Sequence, residues 1–458
     1  MQIKRKRTNR RVPLISIFLI GCIIFFSSTL LGLIVFSRTS PTTIDEGSSD
    51  DLPVIKFYLY PLELFPSFWG PEAKCDFSKV KERKHDGFIF ALEAMKRHPW
   101  RTAHPEESMI AFVPISPDLM ARGGCPGLRE DAMLEELRNA IHKSSIFPKK
   151  RHVFIAHDWK AYSIATKVHA SLKPASIWAK MEERQDCMTS IPYSTNYGTY
   201  MSMRNPNEWH LPNPAKLGSD RVYSVHMVAS QGVRNFKIRP GFEDRVALFT
   251  SDGGSMKDSF IVTPYGTHVL RLEKLLEYEL RRCKDVTDTD RCVSQDGFPS
   301  RIDTQVAQEK SNFTLALRGD SLGSDRWVQG MTAGTALIHV IEDEKAYDWL
   351  PFPCTIPWKD ILLSIQQDEY RKDPVGSVQK VVSSVSEKRL LQLQKLSFYY
   401  SADIDWAAYH SRVLENFLRE SYFVPCKLFS AVNNYPSDIP LHQQNWCAPR
   451  IPDEYESF

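Results

Sequence analysis

Residues 311–341, SNFTLALRGDSLGSDRWVQGMTAGTALIHVI, limit what this chain can fold into more than any other stretch. Residues 313–317 form an apolar run of strand length. Arg318, Gly319, Asp320 and Ser321, with Gly323 and Ser324, then make a polar turn, and residues 325–333 continue as a helix. Gly334 stands just past the last helical residue, where glycine accepts the left-handed cap conformation. A second apolar run, 336–341, completes a β-α-β unit. In open parallel sheets ligands sit beyond the carboxyl ends of the strands, where backbone N–H groups and the helix dipole hold an anion. Arg318 and Arg326 flank that position, so the unit predicts an α/β chain with an anion site at one sheet edge.

The same alternation runs through the rest of the chain. Residues 54–60 read as a strand ended by Pro61, and 87–97 as a helix with Phe88, Leu92 and Met95 on one face. Strands follow at 109–113 and 152–155, with a helix over 130–142 that is acidic at its start, as the helix dipole favours. The strand at 152–155 delivers His157, Asp158 and Trp159 to its carboxyl end. A further strand at 222–227 closes a first domain expected to span 54–236. Residues 245–250 open a second, spanning 237–365, in which Gly253 and Gly254 follow the strand and Arg271 lies in a helix over 268–282. Two helices, 386–396 and 405–417, fall in a C-terminal segment of 366–458, and Trp406, Tyr409, Val413 and Phe417 form a core stripe. A length of 458 residues suits two domains with appendages.

The N-terminus predicts a compartment. Residues 12–37 are uncharged and apolar, longer than the roughly 20 residues a bilayer-crossing helix needs. They exceed the apolar core of about 7 to 15 residues usual in a cleaved signal peptide, the competing reading. Lys4, Arg5, Lys6, Arg7, Arg10 and Arg11 precede them, which keeps residues 1–11 cytosolic and sends the bulk of the chain to the lumen. Residues 38–53 read as a polar stem. The formal charge is +3, of which those six basic residues supply +6, leaving a slightly acidic body at −3. Nucleic acid is therefore not an expected partner. Eight of the nine cysteines lie beyond the anchor, an even set suited to disulfides in an oxidising compartment. Eight cysteines allow 105 connectivities; the pair enclosing a short loop, Cys283 and Cys292, is the one bridge the spacing suggests. Asn312 begins a glycosylation sequon, but at the start of a buried strand it is expected to stay unmodified.

The central stretch resembles the core motif of the exostosin-type glycosyltransferases, glycosyltransferase family 47. There an R-G-D-S turn, a serine and an arginine, a helix and an A-G turn recur in the order shown here by Arg318, Gly319, Asp320, Ser321, Ser324, Arg326, Ala333 and Gly334. A second segment, Arg101, Thr102, Ala103, His104, Pro105, Glu106, Glu107 and Ser108 before the strand ending at Pro114, resembles the family's R-T-x-D-P-E-E-A stretch, with His104 where aspartate is usual. His157, Asp158 and Trp159 match a similar H-D-W, and Leu350, Pro351 and Phe352 with residues 358–365 are similar to the segment after the motif.

The resemblance implies a GT-B architecture: two Rossmann-like domains facing a cleft, the first for the acceptor and the second for the nucleotide sugar, behind one transmembrane signal anchor. It implies a single-pass type II Golgi membrane protein that moves a sugar from a nucleoside-diphosphate donor to a glycan or polysaccharide acceptor, inverting at the anomeric carbon. No metal or other cofactor is expected, and association with itself or with related transferases is compatible with it. Donor binding falls to Arg318, Ser321, Ser324, Arg326, Gln329, Arg271 and Gly253, because charge growing on a departing diphosphate needs preorganised donors and guanidinium presents a planar fork to phosphate. Arg318 and Asp320 alternatively pair to stiffen the turn. Asp158 is the candidate base for the acceptor hydroxyl, or else a helix N-cap. Gln329 stands where the family has an acid, and without charge its bond to a ribose hydroxyl is about half as strong. Leu337 replaces a proline. Gln329 is the chief support of the alternative, an inactive lumenal glycan-binding or partner subunit on the same scaffold. A metal-dependent GT-A enzyme would use Asp288 and Asp290, or Asp403 and Asp405, but neither pair follows an apolar strand; the thirteen histidines show no zinc spacing.

Overall fold

The apolar runs assemble into two sheets in which every strand pair is parallel. The computed structural model describes residues 52–71, 73–76, 86–157, 159–180, 186–192, 221, 223–230, 243–244, 260–265, 308–317, 325–406, 408, 411–433, 447, 449 and 451–452. The first sheet holds β1 (Phe57–Leu59), β2 (Arg101–Thr102), β3 (Ile110–Phe112), β4 (Arg151–Ile155), β5 (Ser176–Lys180) and β6 (Met188–Ser190), in the order β2-β1-β3-β4-β5-β6. The second holds β7 (Tyr223–Ser230), β8 (Phe260–Tyr265), β9 (Ser311–Ala316), β10 (Ala336–Ile341) and β11 (Leu362–Gln366), in the order β11-β10-β9-β7-β8. Both sheets therefore start from a first strand, add the second on one side and the third on the other. That reversal is the topological switch point of a doubly wound sheet: it lies between β1 and β3 in one and between β7 and β9 in the other.

Helices of at least seven residues among those described are α1 (Asp86–Arg97), α2 (Glu130–Ile141), α3 (Tyr162–Ser171), α4 (Asp325–Thr332), α5 (Pro374–Ser384), α6 (Glu387–Ile404), α7 (Val413–Phe423) and α8 (Lys427–Asn433). Strand parity sorts the core. In the first sheet Ile110, Phe112, Val153 and Ile155 face one way, and Ala111, Val113 and Phe154 the other. In the second, Ala316, Leu337 and Ile341 face α4, whereas Phe313, Leu315, Ile338 and Val340 pack with Val375 and Val378 of α5. The inward faces of both sheets meet Leu396 and Tyr400 of α6 and Val413 and Phe417 of α7 in one continuous core. Phe88, Leu92 and Met95 of α1 belong to it, as their spacing predicts, and Phe112 meets Phe417 edge-on at 6.5 Å.

Two expectations are corrected. The strand near residue 222 pairs with β8 and β9, so it opens the second sheet instead of ending the first domain at 236. A strand's own residues carry no mark of which sheet will accept it. The helix expected over 405–417 is also broken: α6 continues to Ile404, and α7 begins only at Val413. Polar bonds hold the intervening turn, with Ser411 Oγ donating to Asp405 O at 2.7 Å and Arg412 N to Ala402 O at 2.8 Å. Asp403 and Asp405 thus end a helix. Asp403 is buried and accepts from Arg412 Nε at 2.8 Å and Asn416 Nδ2 at 2.9 Å, which gives it a structural part.

Three disulfides, Cys75–Cys125, Cys187–Cys426 and Cys354–Cys447, use six cysteines. The suggested Cys283–Cys292 bridge lies outside the described residues, as do residues 1–51 with the expected tail, anchor and most of the stem. No helix among the described residues is long and apolar enough to cross a membrane. Asn312 lies in β9, and its side-chain oxygen accepts from Gln394 of α6 at 3.4 Å.

Candidate functional site at the carboxyl edge of the second sheet

Helix α4 follows β9 and leads into β10, and the sequence fixes how it lies. Trp327, Val328 and Met331 are buried at the spacing of one helical face, and Gly330 allows close approach. A Cβ at Gly330 would stand 2.6 Å from Leu337 Cδ2, 3.2 Å from Thr335 Oγ1 and 3.3 Å from Gln308 Nε2. Below it, Thr314 of β9 bonds Thr335 Oγ1 at 2.7 Å and accepts from Gln308 Nε2 at 3.0 Å. Gly334 closes the helix with φ 63°. Arg221 then secures that end, its Nη2 donating to Ala333 O at 3.0 Å and Gly334 O at 2.9 Å, a cation on the negative end of the helix dipole. Burial lowers the Arg221 pKa to about 10, which leaves it charged at neutral pH. The opposite, amino-terminal end of α4 therefore lies toward the carboxyl edge of the sheet, beside the switch point.

Arg326 and Gln329, both half-buried, are the two expected donor-binding residues that are described. Arg326 shares a helix face with Gly330 one turn below it. Its charge is felt on β7: the pKa of His226 is pushed down to about 3, first by burial and then by Arg326. His226 pairs in register with Thr314, so it lies on the α4 side of the sheet, across the switch point from the strand that feeds α4. It is 3% exposed, and neither ring nitrogen has a hydrogen-bond partner. On the other flank His339 Nδ1 donates to Ala316 O at 3.0 Å, and its ring meets Trp327 edge-on at 4.3 Å. Burial lowers the pKa of His339 to about 4.

Arg318, Ser321, Ser324, Arg271, Gly253 and Asp158 lie outside the described residues, as do Asp288 and Asp290. In the first sheet His157 follows β4 and is 1% exposed. Its backbone N–H donates to Asp118 Oδ2 at 2.7 Å, and Nδ1 lies 3.5 Å from the same oxygen without the alignment of a hydrogen bond. Asp118 thus fixes the backbone one residue before Asp158, a part that nothing in its sequence neighbourhood advertised. His226 was equally hidden, since a lone histidine in an apolar strand reads as core. No group of three or more His, Cys, Asp or Glu side chains among the described residues is placed to hold a metal ion. The chain matches no protein-family model and no curated protein.

Proposed function

We propose that this chain is a glycosyltransferase that moves a sugar from a nucleoside-diphosphate donor to a glycan or polysaccharide acceptor, on a GT-B scaffold anchored in the Golgi membrane. The observation that carries the reading is Arg326, half-buried near the start of α4, the helix that follows β9 beside the switch point between β9 and β7. That crevice is where doubly wound sheets hold ligands, and a helix N-terminus with a guanidinium suits an anion. In the proposed reaction the acceptor hydroxyl oxygen bonds to the anomeric carbon as the bond to the diphosphate breaks. Negative charge collects on the leaving group, where Arg326, with Arg318, Ser321 and Ser324, stabilises it. The hydroxyl proton goes to a base at the carboxyl edge of the first sheet, the part given to Asp158. Gln329, also on α4, is the group assigned to the ribose, and Arg271 and Gly253 complete the donor set.

The test is a screen of the full chain in detergent for hydrolysis of nucleotide sugars, with and without chelator. Arg326→Ala should weaken nucleoside diphosphate binding about 10- to 100-fold, the worth of a hydrogen bond to a charged group, and shift stability by less than about 1 kcal/mol. Unfolding without loss of affinity per folded molecule would make Arg326 a structural residue. Binding without hydrolysis or transfer would instead favour the non-catalytic partner subunit, and activity abolished by chelator a metal-dependent enzyme.

A further inference from the structure

We propose that Asp118 is a positioning residue for the transfer reaction: by accepting the His157 backbone N–H it sets where the chain leaves β4, and so the starting point of Asp158, the next residue. This rests on the reading of Asp158 as the base given above.

The ground is the bonding at the carboxyl edge of the first sheet. β4 lies between β3 and β5, and the chain is held from both sides as it leaves the sheet. On the β5 side Ala156 N donates to Ala179 O at 3.0 Å, and Ala156 O accepts from Trp178 Nε1 at 3.4 Å. On the β3 side the strand pairing ends at Phe112 and Val153. There Asp118, in the short helix Pro117–Ala121 that follows β3, takes the His157 N–H at 2.7 Å and does what the ladder no longer does. Ser116 Oγ fixes the start of that helix by accepting from Leu119 N at 3.2 Å. β3 borders the switch point of this sheet, and across it Trp69 Nε1, on the connection after β1, donates to Pro114 O at 2.6 Å. The connections after β1, β3 and β4 are thus linked one to the next at the edge where open α/β sheets hold their ligands.

Packing alone asks for less. Aspartate is almost never fully buried unless paired, yet Asp118 is 0% exposed. A carbonyl or an amide would meet one backbone N–H at a lower cost of desolvation. What a carboxylate adds is firmness: a bond to it is about twice as strong as one between neutral groups, and 2.7 Å is a length such bonds have. Firmness at that point matters to a base, because a displacement of about 1 Å from productive geometry costs on the order of 100-fold in rate.

The experiment uses the full chain in detergent with UDP-glucose, UDP-galactose, UDP-glucuronate and GDP-mannose, water standing in for the acceptor hydroxyl. Released nucleoside diphosphate gives the rate per folded molecule, and calorimetry gives the binding of UDP and GDP. Asp118→Ala should lower the rate at saturating donor about 10- to 100-fold with undiminished nucleoside diphosphate binding. Asp118→Asn should recover part of the loss, because its amide oxygen still accepts the N–H. Asp118→Ala combined with Asp158→Ala should be no slower than Asp158→Ala alone, since a residue that acts only through another adds nothing once the other is gone. Losses that multiply in the double variant, or Asp118→Ala as fast as the wild type beside a slow Asp158→Ala, would overturn the inference and leave the base reading standing. Asp158→Ala as fast as the wild type overturns both, as does a wild type that releases nothing from any of the four donors. Should Asp118→Ala fail to fold, Asp118→Ser, which leaves room for a water at the N–H, is held to the same outcomes.

Discussion

Acid should unfold this protein partly through His152, and the geometry gives the size of the effect. The ring is fully buried at the start of β4, stacked obliquely near Tyr60 and edge-on to Phe147. Lys150 O can only accept, so Nδ1 carries the hydrogen of that 2.8 Å bond; Nε2 must then accept from the Tyr60 hydroxyl, also at 2.8 Å. Tyr60 stays protonated, its pKa pushed up to about 12 chiefly by burial. The imidazole is therefore held neutral, and burial lowers its pKa from 6.5 to about 4 despite the Lys150 carbonyl, which favours the charged form. Below pH 6.5 the unfolded chain binds this proton and the folded chain does not. Stability consequently falls as pH drops from about 6.5 to about 4 and levels off below that, by roughly 1.4 kcal/mol per pH unit for one proton and about 3 kcal/mol in all. His339, lowered to about 4, and His226, lowered to about 3, act with the same sign. Urea denaturation of the wild type and His152→Gln between pH 7 and 4 measures the difference. The variant should lose close to one proton from the pH slope. Equal slopes in the two proteins, with the variant folded at pH 7, would refute the argument.

Asp403→Ala should cost about 2–4 kcal/mol by the same denaturation assay, because it strips charge-assisted bonds from Arg412 and one from Asn416. The loss stays below that of a wholly buried ion pair since the Arg412 side chain is 41% exposed and can rehydrate. Gly330→Ala should be destabilising by about 1 kcal/mol, the helix-propensity gain of up to about 1 kcal/mol being outweighed by overpacking against Leu337, and Leu337→Ala in the same chain should relieve part of it.

What could be read in the sequence was the local part of the fold. The apolar stripe of Trp327, Val328 and Met331 and Gly334 at the cap are decided within a few residues of one another, and α4 and β10 fall where they indicate. So does α1, whose Phe88, Leu92 and Met95 are wholly buried or nearly so. Polar bonding across the chain was not legible in this way. Asp403 and Arg412 are nine residues apart, and their pairing ends a helix that periodicity alone would have started there. Asp118, in a short helix at Pro117–Ala121, and His157, just past β4, come together from 39 residues apart, and Arg151 reaches Val424 O at 2.6 Å from 273 residues away. Composition does not announce such contacts because each is created by the approach of two finished elements.

β7 shows the same limit with a consequence for the site. Its sequence, YSVHMVAS, fits an interior strand of either sheet, and assigned to the first it leaves His226 an ordinary core histidine. Pairing with β8 on one side and β9 on the other makes it the strand at which the second sheet reverses its order. The reversal sets where two neighbouring connections leave in opposite directions, and hence where a crevice opens at the carboxyl edge. The meaning of Arg326 depends on that reversal too. On α4 alone it is one more half-buried arginine in a helical turn; with β7 next to β9 it stands on the helix beside the point where the strand order reverses. The candidate site is thus a property of strand order, and a motif read along the chain supplies only one of its two walls.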